Sequence, residues 1–109
     1  MTEPETVFRR QVAAFNAHDL EAFLATYADD AVVAGVAAAP VAGAAALRAH
    51  YAPRLGDASL GCDIIATTTF GTRWLVAHER VSSGSGAEEV VGVFEVTGGL
   101  IRRATMVRG

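Results

Sequence analysis

Residues 7–33, VFRRQVAAFNAHDLEAFLATYADDAVV, constrain the fold more than any other stretch. Two apolar repeats of helical spacing flank the tight break Asn16-Ala17-His18-Asp19, and an extended run, Ala31-Val32-Val33, follows. Thr2 and Glu5 have the spacing of a capping box, Pro4 suits a first turn, and Phe8, Val12 and Phe15 recur at i, i+4, i+7 on one face of a helix that ends near Asn16. Asp19 is placed to cap a second helix, in which Leu20, Phe23, Leu24 and Tyr27 follow i, i+3, i+4, i+7 and Asp29-Asp30 closes it. Helices joined by so few residues must lie side by side. A third helix is predicted after Gly43, running through Leu47 and Tyr51 towards Leu55, with Pro53 and Gly56 marking its end.

From residue 60 the period changes. Leu60 to Phe70, Arg73 to Ser82, Glu88 to Thr97 and Leu100 to Val107 are rich in β-branched and aromatic residues. They are separated by Gly71-Thr72, Ser83-Gly84-Ser85-Gly86 and Gly98-Gly99, which predicts a four-stranded antiparallel meander. Helices over about 3–55 followed by strands over about 60–108, without βαβ alternation, give an α+β fold with the helices on one sheet face. Val90, Phe94 and Val96 lie on one side of their strand and Val91 and Val93 on the other. The second apolar face predicts a homodimer formed through the sheet.

A chain of 109 residues with 51% hydrophobic content is expected to form one domain, residues 1–109, able to bury roughly two-thirds of its unfolded surface. The N-terminus Met1-Thr2-Glu3-Pro4-Glu5 is acidic where a signal peptide is basic, and no apolar run reaches the length of a membrane span, so a soluble, cytoplasmic protein is expected. All 9 basic residues are arginine, which removes lysine Schiff-base chemistry. A net charge of −3 opposes nucleic-acid binding, and Arg102, Arg103 and Arg108 read as solvated or interfacial strand residues. The lone Cys62 reads as a small core residue.

Phosphate loops and dinucleotide fingerprints are absent from the sequence, and His18, His50 and His78 are too widely spaced for a local metal motif, so no metal or cofactor is expected. What remains is the apolar pocket that a curved sheet with helices across one face generates. If Gly71-Thr72 is a two-residue turn, Phe70 pairs with Arg73, Ile65 with His78 and Asp63 with Arg80. Trp74, Val76, His78 and Arg80 then share a face with Asp63, Ile65, Thr67 and Thr69 as a pocket wall. A three-residue turn flips that assignment. On the two-residue register His78 is the candidate general acid or base, against a structural reading as a hydrogen-bonded strand histidine. Asp63 and Arg80 form a candidate ion pair. Tyr51 is a candidate hydroxyl donor into the pocket, and Trp74 and Met106 are candidate wall residues; core packing competes with a ligand-facing role for all three.

The N-A-H-D-L motif at 16–20, Tyr27-Ala28-Asp29-Asp30, Gly43 and the Leu47 to Tyr51 helix resemble the ketosteroid isomerase-like and SnoaL-like proteins of the nuclear transport factor 2-like superfamily. The resemblance implies a cone-shaped, cystatin-like roll, with about three helices packed on a curved antiparallel sheet. It also implies a small cofactor-independent enzyme (an isomerase, cyclase or hydrolase) acting on an apolar small molecule in the cone, Tyr51 matching a tyrosine of the isomerase hydrogen-bond network. The isomerases' tyrosine and two aspartates align with Gln11, Gly35 and Gly92, so their steroid mechanism is not expected; a neutral second aspartate is an established example of a carboxylic acid held protonated by its site. A non-catalytic binding module and a dimeric scaffold are the alternatives.

Overall fold

The computed structural model describes residues 1–109. Its elements are α1 (Glu3–Asn16), α2 (Leu20–Leu24), β1 (Tyr27–Ala34), β2 (Val41–Ala42), α3 (Ala44–Leu55), β3 (Gly61–Phe70), β4 (Trp74–Ser83), β5 (Gly86–Thr97) and β6 (Leu100–Arg108). The strands form one six-stranded sheet in the order β2-β1-β6-β5-β4-β3, antiparallel except where β1 runs parallel to β6. The architecture is the expected α+β roll, with three helices on one face of a mostly antiparallel sheet.

Caps set the helix starts. The Thr2 side chain accepts from the Glu5 N–H at 3.3 Å, and Asp19 accepts from the Ala22 N–H at 3.0 Å. The second helix is shorter than its apolar spacing suggests. It stops at Leu24, and Tyr27, expected as its last apolar residue, begins β1 opposite Ile101. Backbone pairing with β6 begins at once, the Ile101 N–H donating to Thr26 O at 2.8 Å, so sheet formation outcompetes another helical turn. Tyr27 keeps its place in the apolar group, its ring 5.4 Å from that of Phe23.

The end of α1 and the three-residue connection to α2 tie the layers together. Asn16 Nδ2 donates to Cys62 O at 2.9 Å while Asn16 Oδ1 accepts from the Cys62 N–H at 2.7 Å, which pins α1 to the edge strand β3. His18, in the left-handed region at φ 58°, places Nδ1 2.9 Å from Leu55 O. A carbonyl only accepts, so Nδ1 carries the proton and donates to the end of α3. Asp19 caps α2.

The β3–β4 hairpin corrects the expected register. Its turn has three residues, with Gly71 at φ 58°, and Phe70 faces Trp74 rather than Arg73. His78 accordingly pairs with Ala66, not Ile65. A bulge at Ile65 then restores the pairing of Asp63 with Arg80. The inward face of the sheet carries Leu75, Ala77, Phe94, Val96, Ile101 and Ala104, all fully or almost fully buried against Phe8, Phe23, Leu47 and Tyr51 from the helices. Phe8 meets Phe94 at a ring separation of 5.0 Å and Phe23 meets Tyr51 at 4.6 Å. No helix is long and apolar enough to cross a membrane.

Candidate functional site

Leu75, Ala77, Glu79 and Val81 project alternately inward from β4. The first two are covered by helices. At Glu79 the helical layer parts, leaving a cavity of about 80 Å³ among α1, α3 and the inner faces of β3 to β6. Its walls include Phe15, Phe23, Tyr51, Val90 and Met106, with Gln11, Cys62 and Glu79 as polar groups and His50, Arg54, Glu88 and Arg108 towards the mouth. This volume is well below the roughly 300–1,000 Å³ of pockets that enclose drug-sized ligands, so it admits a small molecule or one end of a larger one.

Glu79 is the central polar group. It is 6% exposed, and its Oε1 accepts from the Cys62 thiol at 3.2 Å, while Oε2 has no protein partner. Burial raises its pKa above the ordinary carboxylate value, and the thiol hydrogen bond offsets part of that rise. The Cys62 thiol is itself pushed up by burial and by the charge of Glu79, so it is a neutral donor rather than a nucleophile. Tyr51 projects from α3 with no protein partner for its hydroxyl. Burial pushes its pKa up to about 12; Arg54 pulls the other way and Glu79 adds to the rise. It is therefore a neutral donor at physiological pH, within the electrostatic reach of Glu79. Gln11 Nε2 donates to the Tyr27 hydroxyl at 3.0 Å. That locks the amide in place and leaves its carbonyl oxygen without a protein partner. The imidazole at the cavity is His50, edge-on to Tyr51 at 4.8 Å, with a pKa lowered by burial and then by Arg54.

Two of the residues expected at the pocket line it: Tyr51 and Met106. The others lie on the opposite face of the sheet. Trp74, Val76, His78 and Arg80 occupy the outward positions of β4, because Leu75, Ala77 and Glu79 take the buried ones, and Asp63 faces outward beside Arg80. His78 Nε2 meets Glu89 Oε1 at 2.5 Å on that outer surface. The guanidinium groups of Arg73 and Arg103 stand 6.0 Å and 5.8 Å from the Trp74 ring. Asp63 and Arg80 stand opposite each other but form no ion pair. The sequence reading missed Glu79 although its signal is plain once the strand phase is known: a carboxylate interrupts the apolar alternation Leu75, Ala77, Val81.

The glycines at the two aligned aspartate positions leave no room for an acid. A Cβ on Gly35, at φ 86°, would come within 2.0 Å of the Met106 carbonyl oxygen. One on Gly92 would lie 2.6 Å from the Phe94 ring and 3.0 Å from Met106 Sδ. Met106, joined by the Phe94 ring at Gly92, occupies the space that such side chains would need.

The structure is similar to that of a cystatin-fold protein from Novosphingobium aromaticivorans, with a TM-score of 0.84 at 23% identity over 99% of each chain. A polyketide-cyclase candidate from Sinorhizobium meliloti aligns with a TM-score of 0.80 at 22% identity over 94% of each chain. SalBIII, an epoxide hydrolase/cyclase-like enzyme in pyran ring formation of the polyether salinomycin, aligns with a TM-score of 0.87 at 14% identity over 97% of this chain and 90% of its own. At these identities the likeness is one of fold. A search among curated proteins finds no match. A family profile for the SnoaL-like domain matches residues 8–104, nearly the whole chain, and the protein thus belongs to the SnoaL-like family, with a fold of the nuclear transport factor 2-like type.

Proposed function

We propose that the chain is a small acid–base enzyme acting without a cofactor on a small apolar carbonyl compound, with Glu79 moving the proton and Tyr51 holding the oxygen. The observation that carries this reading is a buried carboxyl with one oxygen uncommitted, in the same apolar cavity as an uncommitted tyrosine hydroxyl. A carboxylate whose pKa is raised by burial is a stronger base than one in water, and it is best matched to proton transfer near neutral pH. Glu79 takes a proton from the carbon next to the carbonyl. The C–H electron pair becomes the enolate double bond, and the charge moves to oxygen, where the Tyr51 hydroxyl donates to it. Return of the proton to the opposite face of that carbon, or to the far carbon of a conjugated enolate, isomerises the compound, and attack of the enolate carbon on a second carbonyl closes a ring. The description of one fold neighbour as a polyketide-cyclase candidate is in keeping with this chemistry.

Deuterium uptake from solvent into butanone, followed by proton NMR, tests the proton-transfer step before any natural substrate is known. Wild type should exceed the buffer rate, and Glu79→Gln should lose roughly a hundredfold or more of that excess while remaining folded. Equal uptake by the two proteins would remove Glu79 from the chemistry. Binding of small ketones by both proteins without any uptake would favour a second reading, a binding module; the apolar cavity floor with its single carboxyl is the feature that suits it.

A further inference from the structure

A ligand that reaches Glu79 and Tyr51 fills a cavity of about 80 Å³, so anything beyond a few atoms must remain at the mouth. The charges there are unequal in their commitments. Arg108 Nε stands 3.6 Å from Glu88 Oε1, so these two largely answer each other. His50 is held towards its neutral form by burial and by the neighbouring guanidinium. The guanidinium of Arg54, in the last turn of α3, lines the same cavity and makes neither an ion pair nor a hydrogen bond within the chain. Helix spacing explains its position. Tyr51 and Leu55 point into the core, and Arg54, three residues after Tyr51 and four after His50, flanks them at the rim. Its charge is felt at the Tyr51 hydroxyl, at the His50 ring and, as a minor influence, at the exposed Asp57 carboxylate just beyond the helix, which it does not contact as an ion pair.

Inside the cavity the balance is reversed. Glu79 repels an anion, and the apolar walls offer it no compensating cation, so a charged group is excluded from the floor and accepted at the rim.

We propose that the site takes a small carbonyl compound bearing a carboxylate, its neutral carbonyl end in the cavity against Glu79 and Tyr51 and its carboxylate at the mouth on the Arg54 guanidinium. The placement of the carbonyl end rests on the function proposed above. The forked donors of arginine fit a carboxylate with two parallel hydrogen bonds. A more highly charged phosphate would sit beside Glu88, which disfavours it.

The test compares 4-oxopentanoate with its methyl ester, which keeps the carbonyl and removes the charge. Both are titrated by NMR into wild type, Arg54→Gln and Arg54→Lys, and deuterium uptake into each ligand is followed in the same samples. Arg54 is exposed, so the substitutions leave the fold intact. The carboxylate should bind wild type roughly fivefold more tightly than the ester, as suits one solvent-exposed charge pair. Arg54→Gln should abolish that preference, and Arg54→Lys should keep part of it. Equal affinity for acid and ester, no saturable binding of the acid, or a preference that survives in Arg54→Gln overturns the proposal. The two readings fail separately. Uptake that depends on Glu79 but is indifferent to ligand charge and to Arg54 removes the carboxylate subsite alone, whereas Arg54-dependent binding without uptake removes the proton transfer alone.

Discussion

Glu79 couples the site to stability. Because burial raises its folded pKa above that of the unfolded chain, the native state binds its proton more tightly. Its penalty is absent at pH values below the unfolded carboxylate range and grows as pH rises through the folded value, so the protein loses stability with rising pH through this group. Glu79→Gln removes the charge while its amide oxygen can still accept from the Cys62 thiol. The variant should melt higher than wild type at pH 8, by on the order of 5 °C, the thermal equivalent of about 1 kcal/mol in a domain of this size. The gain should vanish near pH 4. A melting-temperature difference that does not change with pH would show that the substitution acts through packing instead. The same residue shows why the site was only half legible in the sequence. Tyr51 and Met106 could be placed from helix spacing and strand position, but choosing His78 over Glu79 required the parity of a single strand, and adjacent residues there point to opposite faces.

That parity was decided by the β3–β4 hairpin. Gly71-Thr72 looks like a two-residue turn, yet the chain uses Gly71-Thr72-Arg73, and the bulge at Ile65 in β3 compensates within the same hairpin. Neither choice has a local signature strong enough to overrule the other; both accompany the burial of Leu75, Ala77 and Phe94 on the face that α1 covers. The helix starts were legible for the opposite reason, since Thr2, Asp19 and Gly43 act within a turn of themselves, whereas the end of α2 was not. The parallel pairing of β1 with β6 joins residues about seventy positions apart and leaves no local trace. The break at 16–19 was legible as a turn but not as a tie. Asn16 makes two backbone hydrogen bonds to Cys62, holding the strand whose thiol meets Glu79. Asn16→Ala should therefore cost about 1 to 2 kcal/mol in urea unfolding, one or two ordinary hydrogen bonds on a partly buried edge. An unchanged midpoint would mean that α1 and β3 are held by side-chain packing alone.

At the scale of the whole molecule, the outer face of the sheet is the least satisfied surface. Val76, Val91 and Val93 lie together on it with Val107, and Val91 and Val107 are 38% and 55% exposed. Around this apolar strip His78 is hydrogen-bonded to Glu89 and Arg103 is paired with Glu95, while Arg80 faces the opposite charge of Asp63 across the strands. A surface that is apolar at its centre and charge-balanced at its border suits a partner bearing the same pattern, and a two-fold axis through the strip supplies one. We therefore propose that the protein forms a homodimer through this face, leaving the cavity on the helical side open in each copy. Sedimentation velocity should give twice 11.3 kDa at micromolar concentration. Val91 pairs with both His78 and Val107 at the middle of the strip, so Val91→Glu would set two carboxylates near the axis and should yield the monomer. Wild type running only at the monomer mass would remove the dimer. A Val91→Glu variant that still sediments as a dimer would move the interface elsewhere.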